Sequence, residues 1–153
     1  MAGMELRPIG VISSPFREKG EAPHQGRFSA AESVIEVFPE FAEGLLDVAH
    51  HERILVLYWC DRSRRDVLTA IPPHARERRE HGVFATRSPE RPNPIALCLV
   101  DLLAVEGNRL AVRGLDALDG SPLLDIKPFS RDLDCPDNEG SLASSGRQNR
   151  GRW

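Results

Sequence analysis

The segment Gly82-Val83-Phe84-Ala85-Thr86-Arg87-Ser88-Pro89-Glu90-Arg91-Pro92-Asn93-Pro94-Ile95 constrains this chain more than any other. Three prolines fall within six residues, and Asn93 is held between two of them. Each proline fixes its own φ and drives the preceding residue towards an extended conformation. Such a segment cannot be a helix, and it lacks the amide donors of a central strand. The expectation is a rigid loop between two strands, presenting Arg87 and Arg91. Two readings stand at this point. The guanidinium groups are held to grip an anion or carboxylate, or the segment is a connector whose arginines are solvated.

A chain of 153 residues suits one domain with a real core. The longest apolar run, Ile54 to Cys60, has the length of a strand and not of a membrane span. No apolar stretch follows Met1, so no signal peptide is expected. Cys60, Cys98 and Cys135 form neither a CxxC pair nor a disulfide framework, which fits a reducing cytoplasm. Cys60 and Cys98 sit in apolar runs and read as small buried hydrophobes. The net charge of −3 masks a skew: of 20 basic residues only Lys19 and Lys127 are lysines. The arginines cluster at Arg62, Arg64 and Arg65, at Arg76, Arg78 and Arg79, and at Arg87 and Arg91. Overall acidity argues against indiscriminate nucleic-acid binding, whereas a local basic band is compatible with a specific one.

Apolar alternation and β-branched runs predict strands over Leu6–Ser13, Ser33–Phe38, Arg53–Cys60, Val67–Ile71, Ile95–Val105, Arg109–Leu115 and Leu123–Ile126. Glu106-Gly107-Asn108 is a hairpin turn. One short helix is expected over Glu40–Leu46, after Pro39. The charged run His74–His81 has no apolar face and reads as solvated surface, with phosphate contact as the alternative. Six or seven strands without βαβ alternation predict a mainly antiparallel sheet curled into a barrel or sandwich. Residues 1–138 form the domain, and 139–153, rich in Ser, Gly, Asn and Arg, are expected to be a flexible C-terminal tail.

Local chemistry excludes several classes. There is no GxGxxG after a strand, no Walker loop and no GxSxG elbow. The five histidines lack zinc-ligand spacing, so no metal is expected. Four rigid polar loops at strand ends remain: Pro23 to Arg27, Asp61 to Arg65, Arg87 to Asn93, and Asp116 to Ser121. Brought together by a barrel, they offer carboxylates, amides and guanidinium groups to one cleft. That set suits a zwitterionic small molecule carrying a ribose.

The segment Gly82–Ile95 resembles the signature of the TsaA/TrmO family, also called YaeB-like proteins. Leu118-Asp119-Gly120-Ser121-Pro122-Leu123-Leu124-Asp125-Ile126-Lys127-Pro128-Phe129 is similar to that family's closing motif. Pro8-Ile9-Gly10-Val11-Ile12, Ser14-Pro15-Phe16 and Pro23-His24-Gln25 match its opening. The similarity runs from Arg7 to Asp134. It departs from the family at Asp61, Ala96 and Ser121, where His, Gly and Thr are common. Some members also carry a further C-terminal domain.

The resemblance implies a closed or partly open antiparallel β-barrel with one or two short helices. It implies an S-adenosylmethionine-dependent methyltransferase acting as a cytoplasmic homodimer, with the cofactor near the subunit interface. The family's reaction is N6-methylation of threonylcarbamoyladenosine beside the tRNA anticodon. Cofactor contacts carried onto matching positions are Pro23, His24, Gln25, Asp61, Arg62, Arg87, Leu97, Asp116, Ala117, Leu118 and Asp119. Asp125, Asp119 and His24 are candidates to accept the acceptor's proton. Arg64, Arg65, Arg76, Arg78 and Arg79 are candidates for RNA phosphates. Other expectations compatible with the resemblance are methylation of a small molecule or another RNA, or a catalytically silent S-adenosylmethionine-binding module.

Overall fold

A computed structural model describes residues 3–136, so the expected tail at 139–153 lies outside the described residues. The strands are β1 (Gly10–Ser13), β2 (Glu32–Val37), β3 (Arg53–Trp59), β4 (Thr69–Ala70), β5 (His81–Gly82), β6 (Ile95–Glu106), β7 (Arg109–Arg113) and β8 (Pro122–Pro128). A single helical turn, α1 (Arg131–Asp134), follows. Six strands close into a barrel in the order β1-β2-β7-β6-β3-β8, and β4 pairs with β5 as a separate ribbon. All pairings are antiparallel. The expected antiparallel barrel is therefore present, and it is closed.

Alternation sets the inside. On β3, Ile54, Val56 and Tyr58 point into the barrel; on β6, Cys98 and Val100 lie opposite Val56 and Ile54. Ile35 and Val37 of β2, Leu110 and Val112 of β7, and Leu123 of β8 complete the core. Each fully buried aliphatic side chain is worth about 1.5–3 kcal/mol relative to exposure. The hairpin joining β6 and β7 turns at Gly107, whose φ of 60° suits glycine.

Three expectations are corrected. The first strand begins at Gly10 and not at Leu6, because Pro8 has no amide to donate. The expected helix is a 3-10 segment, Pro39–Leu45, too short to nucleate an α-helix on its own. The run His74–His81 is not solvated throughout: His81 pairs with Ala70 across β4–β5 and is buried.

The outer wall of β3 and β6 is apolar. Leu55 lies opposite Leu99, Leu57 opposite Leu97, and Trp59 opposite Ile95. Ile95, Leu97 and Leu99 are exposed.

Candidate functional site

A cavity of about 480 Å³ opens where the first three of the four polar loops approach the Asp116–Ser121 segment. This volume falls in the range of small-molecule sites, roughly 300–1,000 Å³. Its walls come from the Lys19–Gln25 loop, from Tyr58 to Ser63 at the end of β3, from the Pro-rich loop, and from Asp116 and Leu118.

The Pro-rich loop is as rigid as its prolines require, and three side chains fasten it. Arg91 donates through Nε to the carbonyl of Ser88 (2.7 Å), and through Nη2 to those of Val83 (2.8 Å) and Thr86 (2.6 Å). Arg65 donates to the Pro92 carbonyl (2.7 Å) and to Asn93 Oδ1 (3.1 Å), with its guanidinium over the Trp59 ring. Glu90 accepts from the Arg64 amide and pairs with Lys19 at 3.0 Å. Both arginines line the cavity, but Arg91 is committed as a structural staple, whereas Arg87 has no ion pair among the described residues.

The Pro23–Gln25 segment is positioned by the residue that follows it. A Cβ on Gly26 would collide with the Gly114 carbonyl and lie 2.8 Å from Cys98 Sγ. Only glycine allows this loop to dock against the barrel end. The Asp116–Ser121 segment is held by Ser14, whose Oγ donates to the Ala117 carbonyl (2.7 Å) and whose amide donates to Asp119 Oδ1 (3.0 Å). Arg62 stitches two walls together, donating to the Asp119 carbonyl (2.8 Å) and pairing with Asp61 at 3.2 Å.

Asp116 acts on the titratable groups around it. Tyr58 is buried and donates its hydroxyl to Asp116 Oδ1 at 2.8 Å. Burial first, and then the Asp116 charge, holds the Tyr58 phenol well above its usual pKa. The same two causes, in the same order, push the Cys60 thiol up to about 11 and the Cys98 thiol up to about 12. Both thiols are thereby held in the neutral form at ordinary pH. No cation pairs with Asp116 among the described residues, so its charge is open to a ligand.

The carried-over positions divide in two. Pro23, His24, Gln25, Asp61, Arg62, Arg87, Leu97, Asp116 and Leu118 all line the cavity. Ala117 is wholly buried in the core, and the Asp119 carboxylate is turned to the Ser14 amide. Asp125 lies opposite Leu57, on the outer face of the barrel, where it pairs with Lys127 at 2.8 Å. A register shift between Leu57 and Tyr58 puts it there. Among the expected phosphate contacts, Arg65 is committed to the Pro-rich loop. Arg64 and Arg79 form exposed pairs with Asp66 and Glu77, while Arg76 and Arg78 are exposed with no ion pair among the described residues. Sequence reasoning missed Tyr58, and it read Cys60 as a buried hydrophobe where the structure sets it half-buried on the cavity wall. The signal for Tyr58 was available: a phenol at an inward position of an apolar strand must find a partner for its hydroxyl.

Residues 11–135 match the family model described as tRNA-methyltransferase O N-terminal domain. The chain is 56% identical over 132 residues to an S-adenosyl-L-methionine-binding protein of Archaeoglobus fulgidus, covering 86% of this chain and 94% of the relative. It is 54% identical over 135 residues to a probable S-adenosyl-L-methionine-binding protein of the same organism, covering 88% of this chain but only 36% of that longer one. The crystal structure of TrmO from Pseudomonas aeruginosa superposes with a TM-score of 0.73 at 31% identity, over 95% of this chain and 65% of that one.

Proposed function

This chain belongs to the tRNA-methyltransferase O family, and from that premise we propose that it transfers the methyl group of S-adenosylmethionine to N6 of threonylcarbamoyladenosine beside a tRNA anticodon. One observation carries the cofactor half of this reading. A single cavity holds a guanidinium, Arg87, and a carboxylate, Asp116, fixed by Tyr58, neither in an ion pair among the described residues. That pair complements a zwitterion with a carboxylate at one end and positive charge elsewhere. The donor set and volume fit the cofactor.

When bound, S-adenosylmethionine supplies a methyl group on a sulfonium, open to in-line displacement. The chain's own contribution is placement. Arg87 binds the carboxylate, Asp116 the cationic or hydroxyl-bearing part, and Leu97 with Leu118 the apolar surface. His24 is the one proton-acceptor candidate that lines the cavity, and it takes the N6 proton. Arg76 and Arg78, with Arg64 and Arg79 released from weak exposed pairs, meet RNA phosphates.

A homodimer accompanies this reading. The band of Leu55, Leu57, Ile95, Leu97 and Leu99 is a contiguous apolar face on the barrel's outer wall, suited to a second copy. Leu97 belongs to both the band and the cavity, so a partner there would border the cofactor. A cytoplasmic location follows from the tRNA substrate.

The test has two arms: calorimetry with S-adenosylmethionine, and mass spectrometry of nucleosides from tRNA incubated with protein and cofactor. Cofactor binding together with methylated threonylcarbamoyladenosine is expected. Binding with an unchanged nucleoside profile overturns the tRNA reading and leaves a methyltransferase for another acceptor, or a silent binding module. Absence of binding overturns both.

A further inference from the structure

Phe84 is 82% exposed, yet it stands on a turn held by several hydrogen bonds. Its neighbour Val83 is buried and donates its amide to the Leu68 carbonyl at 3.0 Å. The Val83 and Thr86 carbonyls are both gripped by Arg91, and Thr86 Oγ1 donates to the Val83 carbonyl at 3.0 Å. The chain therefore spends several hydrogen bonds on presenting a bare aromatic ring to solvent, where a flexible loop would have folded it away.

The ring's surroundings indicate its ligand. Phe84 precedes Arg87 of the cavity wall by three residues. The far end of the same excursion returns to the cavity as well: the His74 ring lies edge-on to the His24 ring, with centroids 4.9 Å apart. The segment 74–84 thus starts at a ring contact with a residue of the cavity wall and ends three residues before Arg87 of that wall, and between lie Arg76 and Arg78, exposed and without ion pairs among the described residues. An exposed apolar ring and exposed guanidinium groups carried on one segment match the two parts of a nucleotide, base and phosphate. Leu68 and Ile71 are also exposed on this excursion. A protein partner seated here would have to bury the unpaired arginines along with them, at a desolvation cost.

We propose that Phe84 is a stacking platform for a nucleobase of the single-stranded RNA segment that enters the cavity. The inference rests on the RNA-substrate reading above and assigns a residue to it.

The experiment uses the full chain and its variants Phe84→Tyr, Phe84→Leu and Phe84→Ala. Each is measured for affinity to a labelled anticodon stem-loop RNA, for S-adenosylmethionine affinity by calorimetry, and for mass by sedimentation. The tyrosine variant is expected to keep RNA affinity. The leucine and alanine variants should lose roughly five- to hundredfold, with cofactor affinity and mass unchanged. A leucine variant that binds RNA as tightly as the wild type overturns stacking. So does a change of mass in the alanine variant, which would make the ring a subunit contact. Wild-type RNA binding that is indifferent to all three variants overturns the inference alone. A wild type that binds cofactor but no RNA overturns the RNA reading, and the inference with it.

Discussion

The hydroxyl of Tyr58 donates to Oδ1 of Asp116 at 2.8 Å, joining the end of β3 to a loop 58 residues away in sequence. The bond orients a carboxylate that no cation in the described residues neutralises, and it makes that carboxylate part of the cavity wall. Tyr58→Phe removes the donor and keeps the ring. Hydrogen bonds to charged groups are worth about 1.5–3 kcal/mol, so S-adenosylmethionine affinity should fall on the order of tenfold. Calorimetry reads this directly. Asp116→Asn should cost more, since it removes the charge itself.

Gly26→Ala places a methyl group against the Gly114 carbonyl and Cys98 Sγ. Overpacking of this kind costs about 1–3 kcal/mol. Because the collision displaces the Pro23–Gln25 wall, cofactor affinity should drop together with the melting temperature. An alanine variant with wild-type affinity would show that this loop does not contact the cofactor.

Arg91→Lys keeps the charge and loses the fork. An ammonium on one flexible stem cannot reproduce the planar reach to Ser88, Val83 and Thr86. The expected loss of stability is about 2 kcal/mol or more, measured by urea denaturation, accompanied by reduced methyl transfer because Arg87 is no longer held in place.

Cys60 and Cys98 titrate higher folded than unfolded, up to about 11 and about 12. A raised folded pKa contributes stability that is complete below the unfolded thiol value of 9.0. That contribution is lost as pH rises through the folded values. Melting temperature should therefore fall between pH 9 and pH 12, less steeply in Cys98→Ala. At pH 8, iodoacetamide should modify exposed Cys135 before half-buried Cys60 or buried Cys98, which peptide mass mapping will show.

The double variant Arg76→Glu, Arg78→Glu should weaken tRNA binding and flatten its dependence on log salt by roughly one to two units, with cofactor affinity unchanged. Binding that is already independent of salt in the wild type would remove these arginines from the interface.

Much of the fold was legible. The apolar runs Arg53–Cys60 and Ile95–Val105 located the two long wall strands, Arg53–Trp59 and Ile95–Glu106, because a run of that length rich in β-branched and aromatic residues suits a strand that packs on both faces. The rigidity of the Gly82–Ile95 loop was legible too, since proline acts on its own backbone. The fate of individual polar groups was not. Arg65 and Arg91 look alike to Arg76 and Arg87 in sequence, yet the first two are consumed by backbone carbonyls and the last two, among the described residues, are not. Asp125 looked like a site carboxylate until a register shift in β8 turned it outward.

The sequence by itself determined the strand pattern, the rigid proline loop, the family and the set of loops that could meet. Those properties are local, written in φ restrictions and in a two-residue period. Only the tertiary structure decided which members of those loops share a cavity, that Tyr58 holds Asp116, and that Phe84 stays outside on a turn stapled by Arg91. Each of these depends on closing the barrel, which brings distant segments within hydrogen-bonding distance, and no local preference encodes that distance.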